Sequence, residues 1–130
     1  MEGNWREKTL EELEATSWDE PDFASDTVQK THALRKTPLA RFTAEDVRIL
    51  ISQRISLPYL VPLAIEKLQQ NLFVEGDFYP GDLLQSVLSI DEAFWVNNRA
   101  LWRQVFELIR DRMWEVEERY INAEPFLELS

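Results

Sequence analysis

Residues 38–88 read PLARFTAEDVRILISQRISLPYLVPLAIEKLQQNLFVEGDFYPGDLLQSVL, and this stretch decides the fold. Apolar residues recur three and four positions apart in residues 43–55 and again in residues 57–71, which is the spacing of one face of an α-helix. Thr43 and Asp46 have the pattern of a capping box at the start of the first helix. The stretch therefore predicts three helices joined by two tight turns, with the most apolar helix, the second, at the centre.

Two prolines constrain the second helix. Pro58 is tolerated in a first helical turn, whereas Pro62 removes a backbone hydrogen bond and crowds the carbonyl four residues before it. The helix either begins near Tyr59 or bends between the two prolines. We favour a short leading turn followed by the main helix.

The second turn, EGDFYPGD at residues 75–82, is called the acidic loop below. It combines three acids, two aromatic residues, a proline and two of the three glycines of the chain. Pro80 predicts the first position of the next helix, and Asp82 stabilises the start of that helix. Asp82 thus has a role in folding, whereas folding does not explain Glu75 and Asp77.

Acids beside aromatic residues are the candidates for a protein-binding surface, because a few aromatic or charged side chains carry most of the energy of an interface. The first candidates are Glu75, Asp77, Phe78 and Tyr79. A second group, next to Trp18 and Phe23, comprises Asp19, Glu20 and Asp22. The alternative for the acidic loop is a turn that only connects helices and buries Phe78 and Tyr79.

The rest of the chain also predicts helices. Residues 1–22 form a polar N-terminal arm with a short helix capped by Thr9, and residues 23–130 form a single helical domain. An apolar stripe from Trp102 to Tyr120 predicts one long C-terminal helix over residues 99–120, with Trp114 at its edge and a short segment at 124–127 after it. We expect an all-α fold, either a compact multi-helix bundle or a short stack of helical hairpins, with about six or seven helices.

Composition and motifs exclude several classes of function. The chain has 24 acidic and 14 basic residues, a net charge of −10 and no cysteine, which excludes thiol catalysis and zinc-thiolate sites and disfavours nucleic acid and anionic membranes as partners. No nucleotide-binding or hydrolase motif occurs, and His32 has no second catalytic residue near it in sequence. We therefore expect no catalytic residues, no metal, no cofactor and no membrane span. If electrostatics selects the partner, that partner is basic.

Residues 38–88, together with Trp95, resemble the contact-dependent growth inhibition (CDI) immunity proteins of bacteria. The segments that carry the resemblance are Pro38-Leu39, FTAEDVRILISQ (residues 42–53), LPYLVPLAIEKL (residues 57–68) and EGDFYPGDLLQSVL (residues 75–88). Weaker matches extend it to about residues 9–96, and it does not clearly reach the last helix.

The resemblance implies a small, mostly helical, cytoplasmic protein that binds and neutralises the C-terminal domain of a cognate toxin. Because such toxins are commonly nucleases, whose sites are basic, an acidic partner can associate with them rapidly. We expect stoichiometric inhibition without catalysis. The oligomeric state stays open, with a monomer favoured. Two alternatives remain: a helical protein-interaction adaptor unrelated to toxins, and a small metal-dependent hydrolase.

Overall fold

The computed structural model describes residues 4–17 and 25–130, and within them the fold is all-α, as the sequence predicts. The helices are α1 (Leu10–Glu14), α2 (Asp26–Arg35), α3 (Ala44–Ser52), α4 (Leu57–Gln70), α5 (Asp82–Leu88), α6 (Glu92–Val96), α7 (Arg99–Ile109), α8 (Met113–Glu118) and α9 (Glu124–Leu127). Short 3-10 turns lie at Trp5–Glu7, Leu39–Arg41 and Arg110–Arg112.

Side-chain caps begin the first three helices, and those of Thr9 and Thr43 lie where the sequence predicts them. The Thr43 hydroxyl accepts a hydrogen bond from the Asp46 amide at 3.1 Å, and the Asp46 carboxylate accepts one from the Thr43 amide at 3.0 Å. Thr9 and Glu12 form the same reciprocal pair at α1, and the Ser25 hydroxyl caps α2. These caps satisfy amides that a helix start otherwise leaves without partners.

Helix α4 is the central element, as predicted, because it packs against α3, α5 and α7. Its buried side chains are Leu60, Val61, Leu63, Ala64, Ile65 and Leu68. The predicted leading turn before Tyr59 is wrong, since α4 is continuous from Leu57 and contains Pro62. The bond that Pro62 removes is the one to the Pro58 carbonyl in the first turn, so the remaining helical bonds hold the segment together.

The C-terminal helices enclose a cluster of aromatic rings. Phe126 in α9 is 1% exposed; its ring stacks on that of Trp102 with a centroid distance of 5.2 Å and meets Trp95 edge-on at 5.3 Å. The Trp102 indole N–H donates to the Phe126 carbonyl at 3.0 Å. The chain after α8 therefore docks on the body of the protein through buried aromatic residues.

The predicted long C-terminal helix is interrupted. Helix α7 ends at Ile109, a 3-10 turn follows, and Arg112 leaves helical geometry with φ −129° and ψ 21° before α8 begins. The Arg112 guanidinium lies over the Phe73 ring at 5.2 Å and pairs with Glu115. Tyr120 lies beyond the end of α8 and is 94% exposed, so the prediction that it continues the apolar stripe of a helix is wrong. Trp114 is 66% exposed, as its position at the edge of the stripe predicts.

The described part of the N-terminal arm packs on the body of the protein. Trp5 and Leu10 are buried, and Arg6 forms an ion pair with Glu66 of α4. The boundary that we place between residues 22 and 23, together with Trp18 and Phe23, lies outside the described residues. Along residues 4–17 and 25–130, no helix has the length and apolar character needed to cross a bilayer.

Candidate functional site

The acidic loop connects α4 to α5 and folds back on the start of α5. Gly81, with φ 95°, occupies the N-cap position, and Asp82 is the first helical residue. The predicted start at Pro80 is therefore wrong by two residues, because Pro80 instead lies opposite Glu75 in an isolated antiparallel bridge. The positive φ of Gly81 lies in the left-handed region, which favours glycine over other residues at this position.

Asp82 is 3% exposed, and its carboxylate holds the loop from inside. Its two oxygens accept hydrogen bonds from the backbone amides of Gly76 at 2.7 Å and Phe78 at 3.1 Å. A carboxylate can accept several such bonds, and bonds to a charged acceptor are stronger than those between neutral groups. Asp82 therefore fixes the loop backbone as well as starting α5.

Glu45, in the first turn of α3, holds the same loop from the other side. Its Oε1 accepts a hydrogen bond from the Asp77 amide at 2.9 Å, and its two oxygens accept bonds from the Arg48 guanidinium at 2.7 and 2.5 Å. Arg48 also lies 3.9 Å from an oxygen of Asp82. Two nearly buried carboxylates from different helices thus accept hydrogen bonds from the backbone amides of three consecutive loop residues.

The charges of this network stabilise one another. The hydrogen bonds from Arg48 lower the pKa of Glu45, and the Asp77 amide acts in the same direction, against a partial opposing effect of burial. The hydrogen bonds to Glu45 in turn raise the pKa of Arg48. The negative charges of Asp82 and Asp77 raise it further by a smaller amount. Glu45 and Arg48 are therefore both charged at neutral pH.

The close approach of the loop to this network explains Gly76. A Cβ atom at this position would lie 2.5 Å from Oε1 of Glu45 and 2.9 Å from Oδ2 of Asp82. Distances below about 3 Å between such atoms are repulsive contacts. Any side chain at position 76 would displace the carboxylates that accept the loop amides.

The network fixes the loop backbone but leaves the candidate side chains at the surface. Phe78 is 68% exposed and Tyr79 is 43% exposed, and Glu75 and Asp77 are also exposed. The structure therefore brings these four predicted residues together, and the alternative in which the two aromatic rings are buried is wrong. The Phe78 ring packs on its inner face against Arg48, with the guanidinium 4.5 Å from the ring centroid.

A groove of about 320 Å³ runs beside the acidic loop. Residues from α2, α3 and the loop line it, among them Asp26, Lys30, Arg48, Ile49, Asp77 and Phe78. Arg48 is paired with Glu45, and Lys30 lies 3.4 Å from Asp46. The cations that line the groove are therefore paired, whereas the Asp26 and Asp77 carboxylates form no ion pair within the described residues.

The other predicted acids, Asp19, Glu20 and Asp22, lie outside the described residues.

A second polar cluster lies near the end of α1, where Arg35 donates to the Glu14 carboxylate at 2.5 Å and to the Thr16 carbonyl at 2.9 Å. The Ser56 hydroxyl donates to the other Glu14 oxygen at 2.8 Å. These bonds join α1, α2 and the turn before α4, so this cluster is structural. In the described parts of the chain, no three potential ligands are grouped to hold a metal ion.

Sequence reasoning did not identify Glu45 and Arg48 as parts of the site. The only available signal is their opposite charge at a spacing of three residues, which is common on exposed helix faces. Their role depends on contact with a loop about thirty residues further along the chain.

The comparisons with known proteins found a match to one family model. No curated protein and no solved structure matches the chain. The family model for CDI immunity proteins matches residues 12–105, which is well over half of the chain and includes α3, α4 and the acidic loop. The chain therefore belongs to the family of CDI immunity proteins.

Proposed function

We propose that this CDI immunity protein neutralises its toxin by forming a stoichiometric complex, without turnover, and that the acidic loop is part of the contact surface. The observation that carries the proposal is a loop, held by hydrogen bonds from its backbone amides, that exposes Phe78 and Tyr79. Beside these rings lie the carboxylates of Glu75 and Asp77, which form no ion pair within the described residues. Membership of the family implies the general role of neutralising a cognate toxin. The loop supplies a surface suited to that role.

The geometry favours tight binding because the loop is already ordered. The backbone amides of residues 76–78 each donate a hydrogen bond to a side-chain carboxylate, so little backbone entropy is lost when a partner binds. Exposed aromatic rings supply apolar contact area that the free protein leaves in water. Phe78 and Tyr79 are therefore the proposed energetic centre, surrounded by Glu75 and Asp77.

The net charge of −10 supports a basic partner. A nuclease is the proposed toxin class, since its substrate-binding site must carry positive charge. Attraction between the two surfaces would speed their association. We propose a monomer that acts in the cytoplasm and covers a basic surface of the toxin. Asp19, Glu20 and Asp22 remain proposed as additional contacts.

Co-expression tests this function directly. The toxin domain is the C-terminal domain of the large protein that we expect to be encoded immediately upstream. Cells that produce it should survive only with the immunity protein, and the two chains should co-purify in a 1:1 ratio. Survival without a detectable complex would contradict stoichiometric binding.

The salt dependence of the association rate tests the electrostatic part of the proposal. Screening shortens the reach of surface charges to about 8–10 Å at physiological ionic strength, so the rate should fall at least several-fold from low salt. An Asp77→Asn variant, which removes one negative charge as the control does, should weaken this dependence. The matched control is Glu92→Gln, an exposed acid beyond the far end of α5. An equal effect of the control would assign the steering to net charge alone.

A further inference from the structure

Tyr120 occupies a backbone position that normally favours glycine. Its amide donates to the Glu117 carbonyl at 3.0 Å, and the Ile121 amide donates to the Val116 carbonyl at 3.2 Å. These two bonds form a Schellman motif, which ends a helix with one left-handed residue. That residue is Tyr120, with φ 57°. A side chain in this conformation carries a conformational cost that glycine avoids.

Other left-handed residues have side chains that explain their presence or impose little cost. Arg54 donates to the Ser89 carbonyl at 3.0 Å, Ser56 donates to Glu14, and Ala15 has only a methyl group. In contrast, Tyr120 is 94% exposed and its ring has no hydrogen-bond or aromatic partner among residues 4–17 and 25–130. Folding therefore gives no reason for a tyrosine here.

The segment that carries Tyr120 is fixed to the acidic loop. Ile121 is buried next to Gly81, since a Cβ added to Gly81 would lie 2.7 Å from Cδ1 of Ile121. Asn122 exchanges two hydrogen bonds with the Gln85 side chain of α5, at 2.8 and 3.1 Å. Summing these contacts and the backbone steps places the Cα atoms of Tyr79 and Tyr120 no more than about 20 Å apart. An interface of standard size, about 30 Å across, can include both.

The surface beside Tyr120 has the same chemistry as the acidic loop. Trp114, Glu117 and Glu118 are exposed and share one side of α8 by their spacing. Glu117 and Glu118 form no ion pair within the described residues, while the nearby Arg119 lies over the Phe73 ring at 4.1 Å. Aromatic rings beside unpaired carboxylates suit a basic protein and repel a second acidic copy of this chain.

We infer that these residues, Trp114, Glu117, Glu118 and Tyr120, form a C-terminal patch that binds the same toxin domain as the acidic loop. This inference rests on the proposed function. The patch lies after residue 105, where the family match ends, so it extends the proposed interface beyond the segment that identifies the family. Tyr120 supplies the central aromatic contact of the patch.

Replacing Tyr120 by glycine separates binding from folding. Tyr120→Gly should raise the thermal midpoint by a few degrees, because glycine is favoured in the left-handed position. The same change should weaken binding of the purified toxin domain about tenfold or more, mainly through faster dissociation. Ala15→Gly is the matched control: it relieves the same backbone conformation at α1 and should leave affinity unchanged.

Trp114→Ala provides a second, independent variant, which should weaken binding without lowering the thermal midpoint. If both Tyr120→Gly and Trp114→Ala bind the toxin domain as tightly as the natural protein, the C-terminal patch is not part of the interface and the acidic loop remains. If the natural protein itself does not bind the toxin domain, the proposed function fails as well.

Discussion

The acidic loop and the segment after α8 both present exposed aromatic residues, but they are held by different forces. The nearly buried carboxylates of Glu45 and Asp82 accept hydrogen bonds from the backbone amides of the loop. In the C-terminal segment the buried side chains are apolar, with Ile121 at 5% exposure and Phe126 at 1%. The loop should therefore respond to charge and pH, and the C-terminal segment to the loss of apolar volume.

The largest expected effect comes from truncating Phe126. Phe126→Ala removes a ring packed between Trp95 and Trp102 and should lower the free energy of unfolding by about 3–5 kcal/mol. Phe78→Ala is the matched control, because the same change at a ring that is 68% exposed should cost less than about 1 kcal/mol. Denaturant unfolding of both variants measures the difference. Equal losses would contradict the distinction between the two regions.

A smaller effect is expected at Asp82. Asp82→Asn replaces one of the two acceptor oxygens with an N–H donor, so one loop amide loses its acceptor in a buried place. The expected cost is about 2–3 kcal/mol by denaturant unfolding. Asp111→Asn, at a side chain that is 82% exposed, should change stability by less than about 0.5 kcal/mol. A loss at Asp82 no larger than at Asp111 would show that the carboxylate does not hold the loop.

The smallest effect concerns pH and Glu45. Because the folded protein lowers the pKa of Glu45, this carboxylate stabilises the fold above its ordinary titration range and loses that contribution as the pH falls through the lowered value. The natural protein should exceed Glu45→Gln in stability by about 1–2 kcal/mol at pH 7, and the gap should narrow from about pH 5 downwards. A gap that stays constant down to pH 3 would contradict the role of the charged form.

Features set by local spacing could be predicted from the sequence. The Thr43–Asp46 capping box, the central position of α4 and the exposure of Trp114 all depend on residues within one or two helical turns of each other. Local signals were weaker at helix ends. Pro80 is a standard starting residue, yet α5 begins at Asp82 because residues 75–80 form a bridge before the helix.

Features set by distant contacts could not be predicted. Glu45 is 32 residues from Asp77, whose amide donates a hydrogen bond to it, so nothing in the adjacent sequence distinguishes Glu45 from an exposed acid. Tyr120 continues the apolar stripe in sequence, but the break at Arg112 and the helix end at Glu118 place it in solvent. Asp82 was recognised as a helix start, whereas its bonds to two loop amides depend on how the loop folds back.

The central claim is tested most directly by the dissociation constant of the complex between this protein and the purified toxin domain. The Asp77→Asn/Phe78→Ala variant keeps Glu45, Arg48, Asp82 and Gly76, so its thermal midpoint should stay within about 2 °C of the natural value. Calorimetric titration should give binding at least about 100-fold weaker than that of the natural protein, while the Glu92→Gln control binds normally. A folded double variant that binds within about threefold of the natural protein would contradict the claim that the acidic loop binds the toxin.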